Sequence, residues 1–166
     1  MGCGLGHVVR QLIAEGVSSE RLYGTDLQAR FLDLGYELFG DRDSTRATFV
    51  SGDMLREEDP RLEELMHKVD IIYASSFFHL FEREDQIKAA KRMVGFLKPD
   101  NQNAMIFGRN GGPKIPRWEQ YVLDEESWRN MWDEVGEATR TSWRTEMQVE
   151  SNDEWIKVTF AVYRVV

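Results

Sequence analysis

Along the chain, apolar positions switch repeatedly between a helical and a strand period, which is the pattern of an α/β domain. Val8, Val9, Leu12 and Ile13 share one face of a predicted helix over 7–15, closed by Gly16. Leu22-Tyr23-Gly24-Thr25 reads as a short buried strand ending at Asp26. A second helix over 28–39 sets Phe31, Leu34 and Leu38 at core spacing, and Thr48-Phe49-Val50 forms the next strand, running out into Ser51-Gly52-Asp53. A polar helix is expected at about 60–68, followed by an apolar strand over 69–74. Residues 84–97 align Ile87, Ala90, Val94 and Leu97 on one stripe, stopped by Lys98-Pro99 because proline cannot continue a helix. Ala104-Met105-Ile106-Phe107 is the next strand, and the Gly/Pro-rich stretch Gly108–Pro116 is expected to be a loop. Asp124 is placed to cap a helix carrying Trp128, Met131, Trp132 and Val135 on one face. Two last strands, roughly 143–149 and 156–164, are expected to pair antiparallel about Asn152-Asp153. No repeat, low-complexity tract or linker interrupts the series, so 1–166 reads as a single domain.

Three strand ends in this pattern carry candidate chemistry. Gly2-Cys3-Gly4-Leu5-Gly6 leads straight into the first helix; its glycines permit a tight turn and close approach of a ligand to backbone N–H groups. A dinucleotide fingerprint would place its third glycine where His7 stands, so the spacing suits a ligand without a pyrophosphate. Asp26, twenty residues past Gly6, ends a strand where a carboxylate accepts hydrogen bonds from both hydroxyls of a ribose. Taken singly it fits a turn or cap residue equally well. Asp53-Met54 ends the next strand, where a carboxylate would meet a base and a thioether would pack on its ring; a loop acid beside a core methionine is the plain alternative. The conjunction outweighs each part, because open α/β sheets bind ligands at the carboxyl ends of their strands.

Composition narrows the function classes. Charged residues make up 30% and the net charge is −8, with basic residues interleaved among acidic ones, so no stripe is available to neutralise the phosphates of a nucleic acid. No apolar run has the length of a membrane span and no signal peptide is evident. The single cysteine, Cys3, excludes an internal disulfide and fits a reducing, cytoplasmic setting. No His/Cys/Asp grouping has metal-ligand spacing; His7 and His67 read as helix-surface residues.

GCGLG, LYGTDL, SGDM and VDIIYASSFFHLF, in that order, resemble the motif series of class I S-adenosylmethionine-dependent methyltransferases. YGTDLQARFLDLGYELFGDRD and ESWRNMWDEVGEAT are similar to a fungal group acting on small molecules in meroterpenoid and related secondary-metabolite pathways, where carboxyl O-methylation is a known activity. The resemblance implies a Rossmann-like, mostly parallel sheet ending in an antiparallel hairpin, with S-adenosylmethionine as cofactor and a small-molecule acceptor. It implies that Gly2, Cys3, Gly4 and Gly6 line the methionine end, that Asp26 holds the ribose with Leu27 beside the adenine, and that Asp53 and Met54 contact the base. Ala74-Ser75 would close the floor, and Phe77, Phe78 and His79 follow the strand where this superfamily meets its substrate. His79 is the candidate to orient the acceptor or take its proton; a structural histidine bonded to a loop is the other reading. An ionised carboxylate needs no base, only alignment and exclusion of water. Arg109 and Trp118 are candidates to pair with a substrate carboxylate and cover its apolar skeleton, whereas Arg117 reads as solvated.

The family pattern places a strand before the glycine turn, at the centre of the sheet, and here only Met1 precedes Gly2. A first strand is therefore expected to be largely missing. Each buried backbone group left unpaired costs about 1–3 kcal/mol. Three outcomes are expected to resolve this: neighbouring strands close the gap, a partner chain or second copy completes the sheet, or the sequence belongs to a longer protein. An NAD-linked oxidoreductase is disfavoured by His7, and a methyltransferase-like binding or accessory protein without turnover is the main alternative.

Overall fold

A computed structural model describes residues 1–113 and 124–165, which form two compact units, Met1–Glu64 and Leu65–Val166. Trp118 and Arg117 lie outside the described residues.

The first unit begins with the glycine turn and helix α1, His7–Ala14, which starts from Gly6 in the left-handed region at φ 74. Strand β1, Tyr23–Asp26, pairs in parallel with β2, Thr48–Ser51, and helix α2, Ala29–Phe39, connects them. α2 ends at Gly40, whose φ of 62 no β-branched residue tolerates well. Which face of α2 turns inward differs from the expectation. Leu32 and Gly35 are buried, whereas Phe31 (45% exposed), Leu34 and Leu38 (66% exposed) face outward. The reason is a close approach at Gly35, where a Cβ would lie 2.3 Å from the Leu5 carbonyl oxygen. Only glycine lets the helix sit against the turn, and that seat fixes the helix rotation.

In the second unit, β3 (Ile71–Tyr73) pairs in parallel with β4 (Met105–Pro113). β4 then pairs antiparallel with β6 (Trp155–Val165), which pairs antiparallel with β5 (Ser142–Ser151). The order is therefore β3-β4-β6-β5, with the expected hairpin at the edge. Helix α3, Arg83–Phe96, buries Ile87, Ala90 and Val94 as the spacing predicts. Helix α4, Glu125–Thr139, is capped by the Asp124 carboxylate, which accepts from Ser127 N–H at 2.7 Å. Its stripe Trp128, Met131, Trp132 and Val135 is wholly buried. Trp128 stacks within 4.8 Å of Phe160 and 5.2 Å of Phe78, and Trp132 continues the series to Trp143, giving a continuous aromatic core.

Two expectations about secondary structure are corrected. Residues 108–113 are strand, because β6 supplies a ladder partner for each of them, from Phe160 opposite Gly108 to Trp155 opposite Pro113. The polar segment after β2 is only a 3-10 turn, Pro60–Leu65, and His67 stands in a turn at φ 60. Among the described residues the strands fall into two sheets, β1-β2 in the first unit and the four-stranded one in the second. On the edge of β1 away from β2, Cys3 donates its N–H to the Thr25 carbonyl at 2.9 Å.

Candidate functional site

In the first unit the glycine turn and the tips of both strands meet within hydrogen-bond reach. Gly4 N–H donates to Asp26 Oδ2 at 2.8 Å, Gln28 N–H donates to Asp26 Oδ1 at 3.0 Å, and Gly52 N–H donates to the Asp26 carbonyl at 3.0 Å. Asp26 is thus the residue on which the turn, β1 and β2 converge. Its carboxylate accepts one N–H on each oxygen and, with about four lone-pair sites, has capacity for two donors more. Gly4 has φ 54, and a Cβ there would meet nothing within 4 Å, so the backbone is open on that side. Gly2 is also left-handed, at φ 60, and exposed. Gly6 is different: it is buried, and a Cβ would strike Arg10 Nη1 and Phe49, both at 2.6 Å. It shapes the turn from beneath.

Arg10 holds the turn from behind. Its guanidinium makes a fork with Asp41, at 2.7 and 2.8 Å, and Nη1 donates to the Leu5 carbonyl at 2.7 Å. The rings of Tyr36, Phe39 and Phe49 pack around it. The Cys3 thiol is pushed up to about 11, by burial first and by the Asp26 charge against it as well, so it is a thiol rather than a thiolate at neutral pH. Cys3 meets the turn through its backbone, not through sulfur chemistry.

Asp53 caps the loop after β2, accepting from Leu55 N–H at 2.9 Å, and its own N–H donates to Asp59 Oδ2 at 2.9 Å. Asp59 is 0% exposed and also receives Arg61 N–H, Nε and Nη2. The Arg61 guanidinium and the Asp53 N–H hold the Asp59 carboxyl well below the usual carboxylate range, against the opposing effect of burial. Leu27 is exposed and Met54 is buried.

In the second unit, the segment after β3 continues along the extended part of β4. Ala74 N–H donates to Phe107 O at 2.8 Å and Ser76 N–H to Arg109 O at 2.7 Å. Gly108 permits this, since a Cβ would lie 2.2 Å from the Ala74 carbonyl oxygen. Ser75, half-buried, sits in that segment, and the 3-10 turn Phe78–Leu80 follows. Gln86 clamps the turn, with Nε2 donating to the carbonyls of Phe78 at 3.0 Å and Phe81 at 2.9 Å. His79 is buried with Nδ1 3.2 Å from Asn110 Oδ1. Phe78, expected to face a substrate, is 1% exposed, and its ring packs edge-on against Phe77, Trp128 and Phe160. That ring belongs to the core. Arg109 is exposed, because strand alternation turns it to the face opposite Asn110.

Sequence reasoning missed Arg10, Gly35, Asp59, Gln86 and Asn110. Asp59-Pro60 carried a signal, an aspartate before a proline being a helix-start signature. Asn110 carried one too, had 108–113 been read as a strand with alternate residues facing inward. Nothing local marks Arg10 or Gln86, whose partners lie on other elements. Among the described residues, no group of His, Cys, Asp and Glu is placed to hold a metal, and no helix is long and apolar enough to cross a membrane.

Two parallel strands whose tips gather a glycine turn and an aspartate, together with a mixed sheet ending in an antiparallel hairpin, define a Rossmann-like methyltransferase fold. A S-adenosylmethionine-dependent methyltransferase from Aquifex aeolicus superposes with a TM-score of 0.64 at 17% identity, over 98% of this chain and 79% of that one. PigF in complex with SAH does so at 0.61 and 15% identity, over 95% and 53%. A protein described as a Zn-dependent alcohol dehydrogenase from Rhodobacter sphaeroides shares the fold at 0.66 and 14% identity, over 96% and 81%. At such identities the likeness concerns the fold alone.

The chain belongs to the methyltransferase-domain family, whose profile matches residues 1–100. It is 35% identical over 164 residues to the O-methyltransferase phiE of a fungal species, covering 95% of this chain and 55% of that protein. It is 35% identical over 149 residues to the methyltransferase adrK of Penicillium roqueforti, covering 84% and 52%. Against the O-methyltransferase atr3 of Stereocaulon alpinum it is 35% identical over 159 residues, covering 90% and 46%. The chain thus spans about half the length of these curated relatives.

Proposed function

We propose that this chain carries S-adenosylmethionine-dependent methyl transfer to a small-molecule acceptor, as O-methylation of a carboxylate or hydroxyl in secondary metabolism. The observation that carries the proposal is the bonding of Asp26 to both the glycine turn and the β2 tip, which sets a carboxylate with spare acceptor capacity beside an open backbone. The fungal O-methyltransferase relatives support the acceptor chemistry.

In this reading the backbone at Gly2, Cys3 and Gly4 receives the amino-acid end of the cofactor, and Asp26 accepts the two ribose hydroxyls. Leu27 and Met54 flank the base with Asp53. Gly6 and Arg10 hold the turn in shape. When bound, the cofactor supplies an electrophilic methyl group on sulfonium sulfur. Ser75 closes the floor of the cofactor site, and His79 orients the acceptor or takes its proton; Arg109 is an exposed cation for an acidic substituent, and Trp118 the aromatic cover. Both compact units serve one methyltransferase domain.

Calorimetry with S-adenosylmethionine tests the reading. Asp26→Ala is expected to weaken binding by about 1–3 kcal/mol through the lost ribose bonds, with the thermal melt reporting how much of the change is structural. A well-folded protein that shows no binding would sink the enzyme and leave a methyltransferase-like binding or accessory protein.

A further inference from the structure

Helix α2 carries more apolar surface than its own unit covers. Turning about 100° per residue, it directs Leu32 and Gly35 inward and gathers Phe31, Leu34 and Leu38 on an adjoining arc. Those three are 45%, 37% and 66% exposed. A single exposed leucine means little, but three large apolar side chains in one helical stripe make a patch. The helix cannot roll to bury the stripe, because Gly35 is seated against the Leu5 carbonyl oxygen, where a Cβ would lie 2.3 Å away. The charges beside the stripe follow an order. Arg30 precedes Phe31 and Glu37 precedes Leu38, both exposed and on the same flank. They stand seven positions apart, which is about 10 Å along the axis and too far for them to pair with each other. Asp33, further out on that flank, is taken by Arg42 at 2.9 Å, and Glu37 adds to the field that keeps Arg42 charged.

We propose that this face docks a second copy of the chain, α2 against α2, antiparallel about a two-fold axis. Reversal matches the stripe with itself: Phe31 of each copy packs on the partner's Leu34, and Leu38 overlies the start of the facing helix. The same reversal brings Arg30 of each copy alongside the partner's Glu37, so two charges that cannot meet within one chain meet twice between two. A parallel pairing would set arginine beside arginine and glutamate beside glutamate. A lipid surface is the poorer occupant, because it is met by a cationic flank, and here Arg30 is accompanied by Asp33 and Glu37 in a chain of net charge −8. One short helix crossing buries less than a permanent dimer needs, so the association is weak and depends on concentration. It requires no cofactor and stands apart from methyl transfer.

Sedimentation velocity of the full chain over a concentration series tests the pairing. A monomer–dimer equilibrium is expected, and Leu34→Lys, which sets a charge at the crossing, should reduce it below detection, with a thermal melt establishing that the variant is folded. Charge reversal is the decisive arm, since it alters only exposed flank positions. Arg30→Glu alone and Glu37→Arg alone each turn both attractions into repulsions, and each should raise the dimer dissociation constant by roughly tenfold, the scale of a few exposed charge contacts. Both substitutions in one chain should restore it. An equimolar mixture of the two single variants should associate more tightly than either does alone, because both contacts are then attractive again; an effect within one chain cannot produce that result. A chain that stays monomeric throughout, as it would if lipid or another protein were the occupant, overturns the proposal. So does association that runs past the dimer, that ignores the reversals, or that is no tighter in the mixture.

Discussion

The two compact units of this chain are built on opposite economies of interaction. The second closes around rings: Phe78 and Phe160 both meet Trp128, which meets Trp132, which in turn meets Trp143, and α4 contributes a fully buried stripe. The first has only a two-stranded sheet, which gains little stability by itself. It is held at its turns by polar clamps, Asp26 on Gly4, Arg10 on Asp41 and Leu5, and Asp59 on Asp53 and Arg61. The difference teaches where each kind of force is useful. Apolar packing makes a rigid platform, and directional bonds fix the shape of turns that have little apolar surface to bury. Such a region is expected to open locally more readily than the aromatic core.

The largest effect that would break the comparison is in the core. Trp128→Ala is expected to cost about 3–5 kcal/mol, read as a loss of hydrogen-exchange protection across β4, β6 and α4. A loss confined to the first unit would invert the picture. Arg10→Met keeps the stem against Tyr36, Phe39 and Phe49 but removes the Asp41 fork and the Leu5 bond. It should cost about 1–3 kcal/mol in urea melts and loosen exchange in the glycine turn while sparing the second unit. Asp124→Ala removes the α4 cap at about 1 kcal/mol, measured as a small shift of the melting midpoint, because the buried stripe still holds the helix.

Asp59 sharpens the contrast through pH. Its folded value is depressed below the ordinary carboxylate value of about 3.9. Its contribution is therefore fully present above that value and lost as pH falls through the folded one. Exchange in the loop after β2 should accelerate in acid below about pH 4, and Asp59→Asn should abolish that slope while changing nothing about the pH dependence of the aromatic core. A loop equally protected at pH 7 and pH 2.5 would show that the clamp does not hold Asp53.

Most elements were legible because their cause is local. The α4 stripe, the proline stop after α3, the Asp124 cap and the terminal hairpin follow from periodicity and turn chemistry within a few residues of chain. The glycine turn and Asp26 were legible by spacing, as was their meeting at one place. Residues 108–113 were misread because glycine and proline weaken a strand only on average; the ladder with β6 and the close pass of Ala74 over Gly108 outweigh that preference. The face of α2 was misread for a similar reason, since a single contact between Gly35 and the Leu5 carbonyl sets its rotation.

By itself, then, the sequence determined the alternation of helices and strands, the family, and the strand end at which Asp26 stands beside the glycine turn, since each of these is written in short-range patterns of polarity and backbone freedom. Only the tertiary structure decided that Arg10 braces the turn, that Asp59 anchors Asp53, that Phe78 belongs to the core, and that Asn110 rather than Arg109 meets His79. Those choices depend on partners distant in the chain, and on which of two alternating faces a strand turns inward once its neighbour is in place.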